Sequence, residues 1–521
     1  MNQSKQEYTI GQDNLQKFGL DIHNPVFIIS AILILVFVIG TLASPAEAKE
    51  ILDGAKWWSI NNFDWLFMLS ANIILIFCII LIFLPVGKIK IGGKDAEVEY
   101  SNFEWFSMLF AAGIGIGLMY WSVAEPVAYY TGWWHTPLNV VPRTEEAKEL
   151  AMGATIFNWG IHAWGIYAIV GLSLAFFSYN KKLPLTMRSV FYPIFKEKIW
   201  GWRGHLIDLL AVFATIFGLA TSLGLGAQQI SSGLNFLFQI EKSVNIEIIT
   251  IICITLLAII SVVRGLDGGV KVLSKLNILL ALFLMLFIII IGPQFSIFSG
   301  VASTISDYTS NIFVLSNFID REDSEWYHGW TIFYLAWWVA WSPFVGMFIA
   351  RVSKGRTVRE FLLAVLFLPT LVTIIWMTTF GLTAIEQIIA EVGTLVGGIS
   401  DKSIAMFQLL ETFPFATFTS VLAIVLIVIF FVTSSDSGSL VIDTITAGGK
   451  IDAPTKQRVF WAISQGLVAI ALLYVGGADA LSGLQAGSIA TALPFTVILL
   501  AMCYSLYVGL KSELNTSEIK C

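Results

Sequence analysis

The chain has 521 residues, of which 57% are hydrophobic and 13% are charged, with a mean hydropathy of +0.80 and a formal charge of −6. Soluble domains carry about 25% charged residues, so this composition excludes an ordinary soluble domain, and no nucleic-acid partner is expected. Repeated apolar runs of about twenty residues, each long enough to cross a bilayer, predict an all-α polytopic membrane protein. The four cysteines have neither zinc-ligand nor disulfide-frame spacing.

Twelve transmembrane helices are predicted from the apolar runs. In chain order their approximate bounds are 25–44, 64–86, 105–130, 153–178, 206–236, 247–263, 276–298, 329–351, 360–382, 415–437, 458–476 and 485–508. With both termini in the cytoplasm, most of the 30 Lys and Arg residues fall on the inner side, as the positive-inside rule requires. The most basic of the inner loops is 179–205. An odd number of spans would break this asymmetry.

The segment between spans seven and eight carries an acidic patch and intermittent apolar residues, which predict a helix lying along the outer surface. Both polar ends of the chain are predicted to be short cytoplasmic tails. The predicted divisions are a tail, two leading helices, a five-helix repeat, the outer segment, a second five-helix repeat and a second tail. Their bounds are 1–23, 24–100, 101–298, 299–328, 329–508 and 509–521.

Span three contains three alternating glycines, Gly113, Gly115 and Gly117, followed by the pair Glu125-Pro126. Each glycine inside a helix costs roughly 1 kcal/mol. One interpretation is close packing against a neighbouring helix, although the spacing is not that of GxxxG. The other is an unwound segment whose backbone N–H and C=O groups face a cavity, which is where transporters bind substrates and ions.

Span eight carries Trp337, Trp338 and Trp341 near the middle of the membrane. At helical spacing the three side chains fall within an arc of about 100°. Membrane tryptophans usually lie at the water interface, and bulky packing residues are the plain alternative here. A clustered aromatic wall at this depth is what a quaternary or methylated cation needs, because ring quadrupoles attract a charge that makes no hydrogen bonds.

Span four carries a second aromatic wall, formed by Trp159, Trp164 and Tyr167 on one face of the predicted helix. The same span contains His162. A histidine at this depth is either a proton relay or a satisfied packing residue.

Spans five and ten share runs of hydroxyl side chains. These are Thr215, Thr221 and Ser222 in span five, and Thr433, Ser434, Ser435 and Ser437 in span ten. Such hydroxyls either bond back to their own turn or supply oxygen ligands to sodium, a hard cation. Each of the two spans stands third in a group of five, which indicates a repeat over spans 3–7 and 8–12. Near the inner end of span ten, Asp436 is expected to form an ion pair with Arg351 or Arg356.

These motifs resemble the betaine/choline/carnitine transporter family over essentially all twelve spans. The resemblance rests on the glycine stretch with the Trp121–Pro126 run after it, on the span-four aromatics, and on the Trp330–Gly346 run of span eight. It implies a leucine-transporter-type fold, a 5+5 inverted repeat with two extra leading helices, and a homotrimer. It also implies an aromatic cage around a trimethylammonium group. The cage residues would be Trp159, Trp164, Tyr167 and Trp338, extended towards the cytoplasm by Trp337 and Trp341.

The same resemblance implies that the glycine stretch holds the other end of the substrate through Gly113, Ile114, Gly115 and Gly117. Choline-type members tend to have aspartate at the third glycine, so Gly117 favours an anionic substrate end. The family's main sodium site corresponds to Ala111, Ile114, Phe430, Thr433 and Ser434. A second sodium site corresponds to Thr215 and Phe344, although Leu219 stands where its other hydroxyl is expected.

The resulting expectation is a secondary active transporter, not an enzyme, that imports a small methylated zwitterion by sodium symport in the bacterial plasma (inner) membrane. Glycine betaine ranks first, before trimethylamine N-oxide, dimethylsulfoniopropionate and carnitine. A choline or proton-coupled quaternary-amine transporter and a channel are the alternatives. A channel is disfavoured because the sequence shows neither a ring of charges nor a filter motif. An enzyme is disfavoured because the five histidines are scattered and do not form a catalytic cluster. Sodium is expected as the coupling ion, without any cofactor.

Overall fold

A computed structural model describes residues 8–113, 115–265, 271–292, 294–477 and 480–519. It opens with an antiparallel hairpin of two strands, β1 (Asn14–Lys17) and β2 (Leu20–His23). Phe18 and Gly19 between them both have positive φ (56° and 73°), which is the geometry of a two-residue hairpin turn. The expectation of a purely α-helical chain is therefore wrong at the amino terminus.

Helices make up nearly all of the rest. Those before residue 292 are α1 (Val26–Ala43), α2 (Pro45–Phe83), α3 (Asn102–Gly113), α4 (Ile116–Thr131), α5 (Glu145–Trp159), α6 (Ile161–Ala175), α7 (Tyr192–Phe195), α8 (Trp202–Phe238), α9 (Val244–Gly265) and α10 (Lys271–Ile291). Those after it are α11 (Gln294–Leu315), α12 (Ser324–Trp326), α13 (Phe333–Val352), α14 (Val358–Met377), α15 (Thr383–Ile389), α16 (Ala405–Leu410), α17 (Ala416–Thr446), α18 (Thr455–Gly476) and α19 (Ala480–Ile519).

Eleven helices within the described residues are long and apolar enough to cross a membrane. Each of them overlaps one predicted span. The predicted span at 105–130 is not among them, because it is divided into α3 and α4, and neither piece alone is long enough. The count of twelve therefore stays a prediction.

Several helix ends differ from the predicted bounds. The second predicted span begins at 64, whereas α2 begins at Pro45 and is kinked at Phe63 (φ −135°, ψ 15°), next to the predicted start. The seventh predicted span ends at 298, whereas α10 ends at Ile291 and the surface helix α11 begins at Gln294. The Gly-Pro pair at 292–293 is a helix-stop signal that explains the earlier end.

The central helix is α13, which packs against α6, α8 and α19. Another long helix, α17, packs against α8, α9, α10 and α18. Nearly every residue of α4, α6 and the middle of α8 is buried, so these helices form the interior of the bundle. By contrast, α1, α9 and α10 expose rows of large apolar side chains, as expected for helices that face lipid.

The two predicted tails are more ordered than expected. The hairpin is docked on the loop between α17 and α18: the Asn14 side chain donates to the Ala447 carbonyl oxygen at 2.8 Å, and Lys450 pairs with Asp21 at 2.6 Å. At the other end, α19 continues through the predicted tail, where Glu513 pairs with Lys181 of the basic loop. Segments that the charge pattern assigns to the cytoplasm thus meet on one face of the bundle.

Candidate functional site

The glycine stretch interrupts the helix where the sequence predicts an unwound segment. The first half-helix, α3, ends at Gly113, and Gly115 is extended (φ −157°, ψ −171°) before α4 begins at Ile116. Ile114 lies outside the described residues, and the side-chain environment at Ala111 and Gly113 is not described either. The proposed contacts of these three residues therefore stay predictions. The backbone at Gly115 and Gly117 lines a cavity.

That cavity measures about 180 Å³ and is lined by residues of α4, α5, α6, α10, α13, α14 and α17. It is smaller than the sites that drug-sized ligands occupy, so it suits a small solute. Its wall contains most of the residues that the sequence predicts from the glycine stretch, the two distant aromatic stretches and the hydroxyl run of span ten. These are Gly115, Gly117, Trp159, Trp164, Tyr167, Trp337, Trp338, Trp341, Phe344, Phe430, Thr433 and Ser434.

The rings of Trp337 and Trp338 are stacked at 14°, whereas the other neighbouring rings of the wall stand at steep angles to one another. Trp159 stands at the end of α5, where Gly160 breaks the predicted span four, and its ring lies 4.8 Å from that of Trp338 at 69°. Tyr167 lies 6.1 Å from Trp338 at 78° and 5.3 Å from Trp164 at 81°. Such edge-to-face contacts hold rings at different orientations, so π-faces meet the cavity from several directions.

Four of the five tryptophans in the cavity wall bond their indole N–H groups to the protein. Trp338 donates to the Asn158 carbonyl oxygen and Trp159 donates to a carboxylate oxygen of Glu125, both at 2.7 Å. Trp337 and Trp341 donate to a carbonyl oxygen of α8. A buried tryptophan normally finds such a partner. Because these four N–H groups are already engaged, the four rings are held in place and are not available to a solute as hydrogen-bond donors.

Sequence analysis missed the role of Glu125. This fully buried carboxylate accepts hydrogen bonds from Tyr129 (2.9 Å), Asn158 (3.1 Å), Trp159 (2.7 Å) and Tyr334 (2.6 Å). The available signal was an acidic residue inside a predicted membrane span, which by default indicates a functional site. Its carboxyl group anchors Trp159 directly behind the cavity wall.

The hydroxyl run of α17 lies at the other side of the cavity. Phe430, Thr433 and Ser434 line it, and the Thr433 hydroxyl donates to the carbonyl oxygens of Ile429 (2.9 Å) and Phe430 (3.1 Å). A hydroxyl that donates its proton keeps lone pairs as acceptors. Bonding back to the helix is therefore compatible with binding a cation.

The residues of the second predicted sodium site are not brought together in the cavity wall. Phe344 lines the cavity, whereas Thr215 is fully buried, outside its wall, and donates to the Ala211 carbonyl oxygen at 2.7 Å. Leu219 packs against Gly438 of α17 instead of offering an oxygen. The second site therefore stays a prediction.

The structure also places two other residues that the sequence singled out, Asp436 and His162. Asp436 pairs with Arg458 of α18 at 3.1 Å and accepts from Ser261 at 2.6 Å. The expected partners, Arg351 at the end of α13 and Arg356 in the loop after it, are therefore wrong. His162 is buried against Asn72, 3.2 Å away, and is not part of the cavity wall. That position agrees with the packing alternative and not with a relay into the cavity.

The cavity is closed on one side only. On α13 its lining runs from Trp337 towards the carboxyl end of the helix, to Phe348. In the opposite direction Trp121, Trp330 and Tyr334 are at most 3% exposed and pack edge to face. Trp341, Phe344 and Phe348 further along α13 are partly exposed, so the cavity opens towards the face where the basic loops meet.

Eleven apolar helices, a broken helix and a small one-sided aromatic cavity together define a multi-pass membrane transporter for a small solute. Comparison with known families agrees. The profile of the betaine/carnitine/choline family transporters matches residues 25–515. The chain belongs to this family, and it is a transporter, not an enzyme.

Similar proteins cover almost the whole chain. Glycine betaine transporter 1 of Vibrio parahaemolyticus is 58% identical over 97% of both chains. A glycine betaine/proline/choline/ectoine transporter of the same organism is 55% identical over 98% of this chain and 91% of its own. The glycine betaine transporter of Acinetobacter baylyi is 42% identical over 94% of this chain and 74% of its own.

Proposed function

We propose that the protein imports glycine betaine, or a close methylated relative, by symport with sodium. The observation that carries the proposal is the cavity wall in which Trp159, Trp338 and Tyr167 turn aromatic faces to one small volume. A trimethylammonium group has no hydrogen to donate, so only ring faces and nearby negative charge attract it. Relatives at 58% and 42% identity are glycine betaine transporters by name.

The opposite end of a zwitterion fits the broken helix. Gly117 lies in the first turn of α4, a helix whose amino end carries a partial positive charge and free N–H groups. A carboxylate is favoured there, whereas the hydroxyl of choline gains less. Trimethylamine N-oxide, dimethylsulfoniopropionate and carnitine share the cationic head and an anionic oxygen and remain in the proposed range.

Sodium is the proposed coupling ion because its ligands are hard oxygens. The hydroxyls of Thr433 and Ser434 line the cavity beside Phe430, close to the interrupted helix. With carbonyl oxygens of Ala111 and Ile114 they would make the main site. A choline or proton-coupled transporter is the second candidate, favoured by the relative whose name includes choline.

We further propose the layout that the sequence predicts: twelve spans, two inverted five-helix repeats of the leucine-transporter type after two leading helices, a homotrimer, and cytoplasmic termini in the bacterial inner membrane. The interruption between α3 and α4, in the first helix of the first proposed repeat, supports the inverted repeat. The contacts among the hairpin, the basic loop and α19 support a common side for both termini.

A matched pair of solutes tests the proposed specificity. Glycine betaine and 3,3-dimethylbutanoate have the same shape and carboxylate, but the second replaces the cationic nitrogen by carbon. An aromatic cage should favour the cation by roughly 1–2 kcal/mol or more, hence about tenfold. Competition binding to purified protein measures this preference, with choline and trimethylamine N-oxide in the same panel. Equal affinity for the isosteric pair would refute cation recognition by the cage.

A further inference from the structure

One backbone atom of α8 accepts hydrogen bonds from two tryptophans of the cavity wall. The carbonyl oxygen of Gly218 receives the indole N–H of Trp341 at 2.8 Å and that of Trp337 at 3.3 Å. The hydroxyl of Ser222 also donates to it at 3.4 Å. Both indoles on the open side of the cavity thus depend on a single acceptor that lies outside the cavity wall.

The absence of a side chain at Gly218 is what lets α8 and α13 come this close. A Cβ added there would lie 2.8 Å from Cδ1 of Trp341 and 3.0 Å from the carbonyl carbon of Ala340. The second neighbour is backbone, which cannot turn aside as a flexible side chain does. Small residues allow helices to approach backbone to backbone in this way, so the position is sterically fixed.

Two glycines, Gly218 and Gly117, contact opposite ends of the Trp337 indole. Its Nε1 donates to Gly218, and its Cη2 lies where a Cβ on Gly117 would come within 2.9 Å. The ring of Trp341 lies 6.3 Å from that of Trp337 at an angle of 78°. Because both N–H groups point to one oxygen, the shared acceptor fixes the angle between the two rings.

We propose that Gly218 is a positioning residue for substrate binding, which sets the two indoles on the open side of the cage through its carbonyl oxygen and its missing side chain. This inference rests on the proposed recognition of a methylated cation. Cation–π attraction depends on where the ring faces lie, so a displaced pair of indoles weakens binding even though Gly218 touches no substrate. The residue couples α8 to α13, hence the two halves of the chain.

Gly218→Ala tests the proposal against a matched control, Gly224→Ala. Both glycines lie in α8, and an added Cβ at Gly224 would also be crowded, 2.5 Å from Leu484 of α19, away from the cavity. Binding of radiolabelled glycine betaine to purified protein gives Kd, and thermal unfolding gives Tm. We expect a Kd at least tenfold higher in Gly218→Ala and unchanged within twofold in Gly224→Ala, with both Tm values lowered.

Trp341→Phe provides a second variant that does not depend on how well Gly218→Ala folds. It keeps an aromatic ring and removes the N–H donor that Gly218 accepts. We expect a several-fold weaker Kd for Trp341→Phe, and a smaller further loss than in the parent when Gly218→Ala is added, so the two changes are not additive. This non-additivity is specific to a positioning role.

The possible failures are distinct. If the parent protein binds no glycine betaine or related methylated cation, the proposed function is refuted and the inference with it. If the parent binds but Gly218→Ala and Gly224→Ala have the same Kd, only the positioning role is refuted. Full additivity of Gly218→Ala and Trp341→Phe would likewise overturn it.

Discussion

Three substitutions of Gly117, which lies between the aromatic cage and the broken helix, distinguish the steric effect of an added side chain from the effect of an added negative charge. An added Cβ would lie 2.7 Å from Cη2 of Trp159 and 2.9 Å from Cη2 of Trp337. Gly117→Ala, Gly117→Asn and Gly117→Asp must all displace these rings, and overpacking typically costs about 1–3 kcal/mol. On that basis alone each variant should bind glycine betaine between about fivefold and a hundredfold more weakly.

Gly117→Asp adds a charge that its near-isostere Gly117→Asn lacks. A carboxylate about 4 Å from the anionic end of glycine betaine, at an effective dielectric constant of about 20, is repelled by on the order of 4 kcal/mol. Choline has a hydroxyl that can donate to the new carboxylate, so it should escape this second penalty. We therefore expect the Asp variant to bind glycine betaine far more weakly than the Asn variant, with choline spared or improved.

The assay is competition binding of glycine betaine, trimethylamine N-oxide and choline to the parent and the three purified variants. The informative quantity is the affinity ratio between the Asp and Asn variants, because the steric cost largely cancels in it. Equal loss of glycine betaine binding in both variants, or a parent protein that already prefers choline, would refute the idea that Gly117 selects an anionic end.

The remaining predictions concern the cage, the buried acid, the hydroxyl run and the hairpin. Trp338→Ala should weaken glycine betaine binding at least tenfold and Trp338→Phe less, because part of the aromatic face is kept; unchanged Kd in the Ala variant would contradict the cage. Glu125→Gln keeps the size but removes the charge, so it should narrow the preference for glycine betaine over 3,3-dimethylbutanoate in the same binding assay, whereas an unchanged preference would leave Glu125 a purely structural residue. Thr433→Ala and Ser434→Ala should each raise the sodium concentration for half-maximal uptake without lowering expression, and unaltered sodium dependence in both would exclude these hydroxyls as ligands. Burial, with Arg188 and His205 nearby, lowers the pKa of His23 from 6.5 to about 3. Below pH 6.5 the undocked hairpin therefore binds more protons than the docked one. Docking is strongest above that pH and weakens as the pH falls. Hydrogen exchange in residues 14–23, corrected for intrinsic rates, should speed up between pH 7 and 5, and constant protection would contradict the role of His23.

The aromatic wall could be predicted because helical spacing is a local property. Trp337, Trp338 and Trp341 share a face wherever their helix lies, and a mid-membrane position is unusual for tryptophan. The break at Gly115 was equally local, since alternating glycines destabilise any helix. The structure brings these residues to one cavity, while their part in binding remains a prediction.

What the sequence could not supply were partners from distant segments. Glu125 is visible as a membrane-embedded acid, but its donor Tyr334 is about two hundred residues away in the chain. The same holds for Gly218, whose partners lie on α13. It also holds for Asp436, because residue spacing does not predict how the loop between α17 and α18 places its partner Arg458. Helix periodicity predicts on which face of its helix a residue lies, but not which other helix packs against that face.

The hairpin was missed for a different reason. Its turn is Phe18-Gly19, not the Asn-Gly or Asp-Gly pair that marks two-residue hairpins most clearly. Its strands of four residues are also too short to show alternation, and its stability comes from docking through Asn14 and Asp21.

The most direct test of the proposed function is accumulation of radiolabelled glycine betaine in proteoliposomes against its own gradient. We predict accumulation when sodium is higher outside, and none when potassium replaces sodium at the same pH and membrane potential. Accumulation that is equally strong in potassium would contradict sodium coupling and favour protons as the driving ion. Equilibration without accumulation under every gradient would contradict secondary active transport and favour a channel.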